Sequence, residues 1–319
     1  MALTGPEGTG GDPAPRPSRA RRLVGIALLL LVVAALVVAV VRNRQSFVDT
    51  VDRVGPGGLA LSVVCGLLGI GATALQWRAV LAGLGVELSR RDAASVFFVS
   101  QLGKYLPGSV WPIVMQMEAG RSRGASRRTM VAANLVTLVL GLASGLVVAG
   151  LLLPFSSPQA LGRFWWALAA LPLVVVLALP RTLPWLLDAV LRLLRRPPIG
   201  LRMTGRATLR ASAWATVSWV FLGLHLLVLA SAVSDLSGRT LALCIGAMGL
   251  AVSAGVLFLP APAGAGMREV VLGFALGTLI PSGPVVAVIV GSRVVLIVVD
   301  ALLALGGALL GRAGRRTGA

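Results

Sequence analysis

Arg268 and Glu269 stand side by side just after Leu259-Pro-Ala-Pro-Ala-Gly-Ala-Gly-Met267, in a segment that is otherwise apolar. Pro260 and Pro262 remove two backbone donors, and each disfavours helix at the residue before it. Gly264 and Gly266 permit a sharp reversal and close backbone approach. A helix restarting near 265–267 offers free N–H groups and the positive end of its dipole, which together favour an anionic group. In that setting Arg268 would contact an anion, and Glu269 would orient it or carry a proton. The plainer alternative is an Arg-Glu pair that shields itself or reaches the membrane surface.

Two further constellations could join this chemistry. Lys104 is the single lysine among 29 basic residues, and Tyr105 is the single tyrosine; both precede Pro107-Gly108 in a second interrupted segment. A compact ammonium differs from a guanidinium in geometry and hydration, so the exception points to a role. Arg293 and Asp300 share one face of an apolar helix, seven residues and about 10 Å apart along the axis, so different partners are expected for them. Asp300 could pair with Arg78 or with solvent. Glu118 is expected to pair at the surface with Arg121 or Arg123. His225 and Asn134 read as interhelical hydrogen-bonders, and Cys65 and Cys244 as small buried side chains. No Cys or His cluster has metal-ligand spacing, so neither metal nor cofactor is expected.

The elements that must position these residues follow from composition. Of 319 residues 57% are hydrophobic and only 13% charged, more apolar surface than a soluble domain can hide. Runs such as 23–40 carry no charge over the length of about 20 residues that a helix needs to cross a bilayer. The expected architecture is all-α and polytopic, with about six full spans near 23–41, 58–79, 129–153, 164–180, 211–234 and 284–311. The net charge of +18 is read as membrane-flanking arginine rather than as a nucleic-acid surface. Residues 1–22, rich in Pro and Gly, read as a disordered tail.

Loop charges orient the spans. With both termini cytoplasmic, the N-tail, 80–92, 120–128, 181–210 and the C-tail (312–319) hold twenty arginines. The opposite loops hold Arg42, Arg44, Arg53, Arg163 and Arg239. Arginines then flank 92–120 on one side only, and its arms are too short to cross. It reads as a re-entrant helical hairpin, as does 240–280 from the other side, although the arm at 240–259 is long enough to cross completely. The order span, span, hairpin, span then recurs upside down, an inverted repeat of the kind that places a binding site where broken helices meet. The halves are 23–180 and 211–311, joined by an amphipathic surface helix within 181–210.

The Leu-Pro-Ala-Pro-Ala-Gly-Ala-Gly-x-Arg-Glu element, an arginine in the next span, and the earlier Gly-Lys-Tyr-Leu-Pro-Gly element resemble the lysylphosphatidylglycerol synthase transmembrane region, a flippase-like family also found as stand-alone membrane proteins. The resemblance covers nearly all of 23–311. It implies movement of lipid between leaflets, without the aminoacyl-transferase chemistry that the full synthases carry in a separate soluble domain; no enzyme activity is expected. The expected function is a plasma-membrane translocase for an anionic phospholipid or a polyprenyl-phosphate-linked lipid. Lys104, Tyr105, Pro107, Gly108, Pro260, Pro262, Gly264, Gly266, Arg268, Glu269 and Arg293 would line its site, with Glu269 and Asp300 as the coupling candidates. The alternative is an accessory subunit that presents a lipid carrier to a membrane glycosyltransferase. Expected partners are therefore anionic lipid headgroups, such a transferase, or a second copy of the chain, and not nucleic acid.

Overall fold

A computed structural model describes residues 41–105, 111–121, 126–193, 203–258 and 264–316, with a few helical residues between 34 and 40. Among these the chain is helical, with no strand. The helices are α1 (Arg44–Gly83), α2 (Arg90–Gln101), α3 (Trp111–Arg121), α4 (Arg127–Ser156), α5 (Pro158–Ala178), α6 (Thr182–Leu193), α7 (Gly205–Ala230), α8 (Gly238–Leu257), α9 (Met267–Leu276) and α10 (Ser282–Arg316); a 3-10 turn, Leu102–Tyr105, follows α2.

A hydroxyl caps the start of half of them. Ser89, Ser126, Ser157, Thr204 and Ser237 each precede a helix, and each side chain accepts the backbone N–H three residues on. These caps satisfy donors that have no partner within the helix. Helix α1 is two helices joined at Gly55, whose φ of 63° and ψ of 172° interrupt the helix before Pro56. Residues 44–54, counted above with an external loop, are therefore helical up to that break. Their Asp49, Asp52 and Arg53 lower the hydropathy without lowering helix content.

Six described helices are long and apolar enough to cross a membrane: α1, α4, α5, α7, α8 and α10. The set differs from the expected one at two places. The span expected at 23–41 lies largely outside the described residues, and α8, expected as the long arm of an interrupted segment, is itself of crossing length at 20 residues. Helix α7 begins at Gly205, so Arg206 and Arg210 ride on a long apolar helix rather than on the linker. The amphipathic helix expected after residue 180 is α6. By contrast α2, α3 and α9 have 12, 11 and 10 residues, or about 15–18 Å of rise, against about 30 Å of hydrocarbon.

Packing relies on small residues. Helix α1 lies along α7 and α4 along α8. A methyl group placed on Gly223 would sit 2.4 Å from Ile245 Cα, and one on Gly249 would sit 2.7 Å from the Gly145 carbonyl oxygen. Such close backbone approach is how apolar helices associate where lipid leaves little hydrophobic driving force. Two apolar cores result. One joins α7, α8, α9 and the first half of α10 around Leu226, Met248, Leu276 and Val288. The other joins the second half of α1, α2 and the start of α4 around Trp77, Phe97 and Met130, with the Trp77 and Phe97 rings 5.7 Å apart. Helix α10 packs against α1, α2 and α9, and so touches both interrupted segments.

Candidate functional site

Helix α10 carries two charges inside its apolar stretch, and each draws in one of the interrupted segments. Asp300 is 2% exposed. Its Oδ2 lies 2.7 Å from Lys104 Nζ and accepts the Tyr105 hydroxyl at 2.5 Å, so the turn after α2 is docked onto α10 through one carboxylate oxygen. The other oxygen, Oδ1, is buried and has no hydrogen-bond partner among the described residues. The expectation that Asp300 pairs with Arg78 or with solvent is overturned. Arg78 Nε instead donates to the Leu88 carbonyl at 3.2 Å, near the end of its own helix, and Lys104 supplies the counter-charge.

Arg293, one face and two turns earlier, lies with its Nε 3.6 Å from Glu269 Oε1; the two side chains are 11% and 15% exposed. Glu269 works in two directions, because its Oε2 also accepts the Gly266 backbone N–H at 2.7 Å. This is a carboxylate at the third helical position reaching back to cap its own helix. A donor expected to be free for an anionic ligand is thus already taken by the protein. Arg268 does not simply shield Glu269: its Nη2 approaches Ser292 Oγ at 3.5 Å and Met248 Sδ at 3.6 Å.

The backbone before α9 has the reversal the sequence implies. Gly264 has φ +66° and Gly266 φ +87°, a region that side chains disfavour. A methyl group on Gly264 would also lie 2.7 Å from Gly255 Cα, so the loop presses directly on the α8 backbone. Pro107, Gly108, Pro260 and Pro262 lie outside the described residues.

These groups form one electrostatic unit. Lys104 is within Coulombic range of Asp300, Arg268 and Arg293, and Arg268 of Arg293, Glu269, Tyr105 and Asp300. Among the described residues three cations (Lys104, Arg268, Arg293) thus face two carboxylates (Glu269, Asp300), leaving one positive charge over. The stretches 106–110 and 259–263 add none, being Leu-Pro-Gly-Ser-Val and Leu-Pro-Ala-Pro-Ala. Charge held among membrane-crossing helices is costly unless paired, and a surplus cation there favours an anionic ligand.

Of the polar residues behind this cluster the sequence singled out only His225, expected to hydrogen-bond between helices, as it does. His225, wholly buried, meets Ser62 Oγ at 2.7 Å through Nδ1 and Ser292 Oγ at 2.9 Å through Nε2. Ser292 thereby touches both His225 and Arg268. Its signal was the Gly-Ser-Arg triplet at 291–293, a polar pair inside an apolar run. Gln76 Nε2 donates to the Thr137 carbonyl at 2.9 Å, and Gln116 Nε2 to Ser100 Oγ at 2.8 Å, tying α3 to α2. One other expectation is corrected. Asn134 donates to the Met130 carbonyl of its own helix at 2.9 Å, because a carbonyl one turn back is within easy reach. Glu118, expected in a surface ion pair, faces Arg127 at 3.7 Å with both side chains exposed; the side chains of Arg121 and Arg123 lie outside the described residues. Cys65 and Cys244 are buried.

No curated protein matches the chain. The family model described as the lysylphosphatidylglycerol synthase TM region matches residues 23–304, which include every charged residue of the cluster and five of the six crossing-length helices in full. The protein, multi-pass in the membrane, belongs to the lysylphosphatidylglycerol synthase transmembrane-region family.

Proposed function

We propose that this protein is a lipid translocase of the plasma membrane, moving an anionic phospholipid or a polyprenyl-phosphate-linked lipid between leaflets. The observation that carries this reading is the surplus cation at the junction of the two interrupted segments, both docked on α10. The headgroup phosphate enters among Lys104, Arg268 and Arg293, while the hydrocarbon tail stays in the bilayer. Electrostatic attraction from three converging donors replaces the water that the phosphate gives up.

The short arms α2, α3 and α9 are read as parts of two re-entrant hairpins in an inverted repeat, with both termini cytoplasmic, as the arginine distribution favours. Alternating access then needs the hairpins to part from α10 one at a time. Asp300 and Glu269 are the groups whose partners change during that step, which makes them the coupling candidates. The family match lies in a transmembrane region, so the reading is a carrier and not an enzyme.

The test is leaflet exchange of a fluorescent anionic phospholipid and of a labelled polyprenyl phosphate in liposomes containing the purified protein. Exchange that Glu269→Gln and Arg293→Ala abolish, in protein that remains folded, supports the translocase. Absence of exchange for both lipids with folded protein contradicts it and favours the accessory subunit, for which capture of a membrane glycosyltransferase is the next experiment.

A further inference from the structure

Behind Arg268 runs a buried polar chain that crosses four helices. Ser62 of α1, His225 of α7 and Ser292 of α10 are each fully buried, and Arg268 of α9 closes the chain. Its proton positions follow from the partners at both ends. Arg268 can only donate, so Ser292 Oγ accepts from Nη2 at 3.5 Å. The Ser292 hydrogen is then available to His225 Nε2, 2.9 Å away, when that nitrogen is the bare one of a neutral ring. At the other end the Ser62 hydroxyl donates to the His225 carbonyl at 3.2 Å. Its oxygen is therefore free to accept from His225 Nδ1 at 2.7 Å. The Ser62 carbonyl, which can only accept, also lies 3.3 Å from Nδ1, so in the neutral ring the proton sits on Nδ1 and the lone pair on Nε2.

We infer that His225 is a positioning residue for Arg268. The ring fixes the Ser292 hydroxyl so that its lone pair faces the guanidinium, and this holds Arg268 aimed into the charged cluster. The inference rests on the translocase reading for its consequence, but the placement of Arg268 can be measured without any lipid. A histidine kept only to fill space or to link α1 with α7 needs the Ser62 contact and not the Ser292 one. In the assigned chain the Ser292 contact is the one that matters for ligand.

Two substitutions separate these roles. Gln at 225 places a carbonyl oxygen near the Nε2 position and can accept from Ser292; Asn reaches only as far as Nδ1 and keeps the Ser62 side. Binding of dihexanoyl phosphatidylglycerol, a short-chain anionic phospholipid, to the purified detergent-solubilised protein is measured by calorimetry. Modification of Arg268 by phenylglyoxal is followed in parallel by peptide mass spectrometry. His225→Asn and Ser292→Ala are expected to weaken binding by roughly tenfold or more, the worth of a hydrogen bond to a charged group, and to speed modification of Arg268. His225→Gln is expected to stay close to the native protein in both. Equal modification of Arg268 in all four proteins, or a loss in His225→Gln as large as in His225→Asn, overturns the assignment. Faster modification in His225→Asn and Ser292→Ala together with no lipid binding by the native protein upholds the positioning role and contradicts the translocase reading instead.

Discussion

In the segment around Lys104 the cation sits on the turn and its carboxylate on α10; in the segment around Arg268 the carboxylate sits on the restarted helix and its cation on α10. The first contact converges on one oxygen, Asp300 Oδ2, reached by Lys104 and Tyr105. The second is spread out: Glu269 holds both Arg293 and its own helix start, while Arg268 reaches Ser292. Each turn also has a glycine that a side chain could not replace without a clash. A methyl group on Gly103 would lie 2.9 Å from the Pro112 nitrogen on the facing arm, and one on Gly264 would lie 2.7 Å from Gly255 Cα on α8. The difference is one of redundancy. The charged contacts of the first segment meet α10 at a single carboxylate and those of the second at several weaker ties, while α2 itself also packs closely along the later turns of α10.

The sharpest way to break this comparison is to remove one member of the Lys104–Asp300 pair. Lys104→Met leaves a nearly fully buried carboxylate unpaired and is expected to cost about 3–5 kcal/mol of unfolding free energy. Asp300→Asn costs clearly less, because Lys104 is 31% exposed and its flexible stem can carry the ammonium toward water. The double variant recovers most of the loss. Chemical unfolding in detergent, read by tryptophan fluorescence, checks the order of the three. Equal losses for the two single variants would show that the pair is not asymmetrically buried.

Gly264→Ala comes next, at about 2–3 kcal/mol, since it adds a backbone clash to a positive φ; Gly266→Ala, with the same φ problem and open space around it, is expected at about 1 kcal/mol. In the second segment Glu269→Ala removes both the helix cap and the Arg293 partner and is placed at about 1–2 kcal/mol. Glu269→Gln keeps an acceptor for the Gly266 N–H and loses less stability, while losing as much anion-site function. The smallest expected effect belongs to the exposed Glu118–Arg127 pair. Glu118→Ala should shift the midpoint by no more than about 0.5 kcal/mol, and by less at high salt.

Much of this arrangement could be read before any coordinates. Lys104 stood out as the one lysine, Arg293 and Asp300 by their seven-residue spacing, and the restart at Arg268 by its prolines and glycines. Their division between different partners followed from helix rise alone. The identity of those partners did not, because Tyr105 and Asp300 are 195 residues apart and no local pattern encodes contact over that distance. Residues 44–54 were missed for a different reason: hydropathy marks spans, and a charged helix outside the apolar run looks like a loop. Ser62 and Gln76 were invisible individually because one hydroxyl or amide in an apolar helix is common, and Ser292 was marked only by its neighbour Arg293. Only their meeting points distinguish them.

The central claim is that both interrupted segments serve one anionic ligand on α10. A double-mutant cycle on Lys104→Met and Arg293→Ala, with calorimetric binding of dihexanoyl phosphatidylglycerol as the readout, tests it most directly. Residues that share a ligand or a charge network couple, by about 0.5–3 kcal/mol, whereas independent sites add to within about 0.5 kcal/mol. The account predicts coupling, with the double variant binding no worse than the weaker single one by more than a fraction of the expected sum. Strict additivity, or a loss of binding from one substitution alone, would mean that the two segments do not act on the same phosphate.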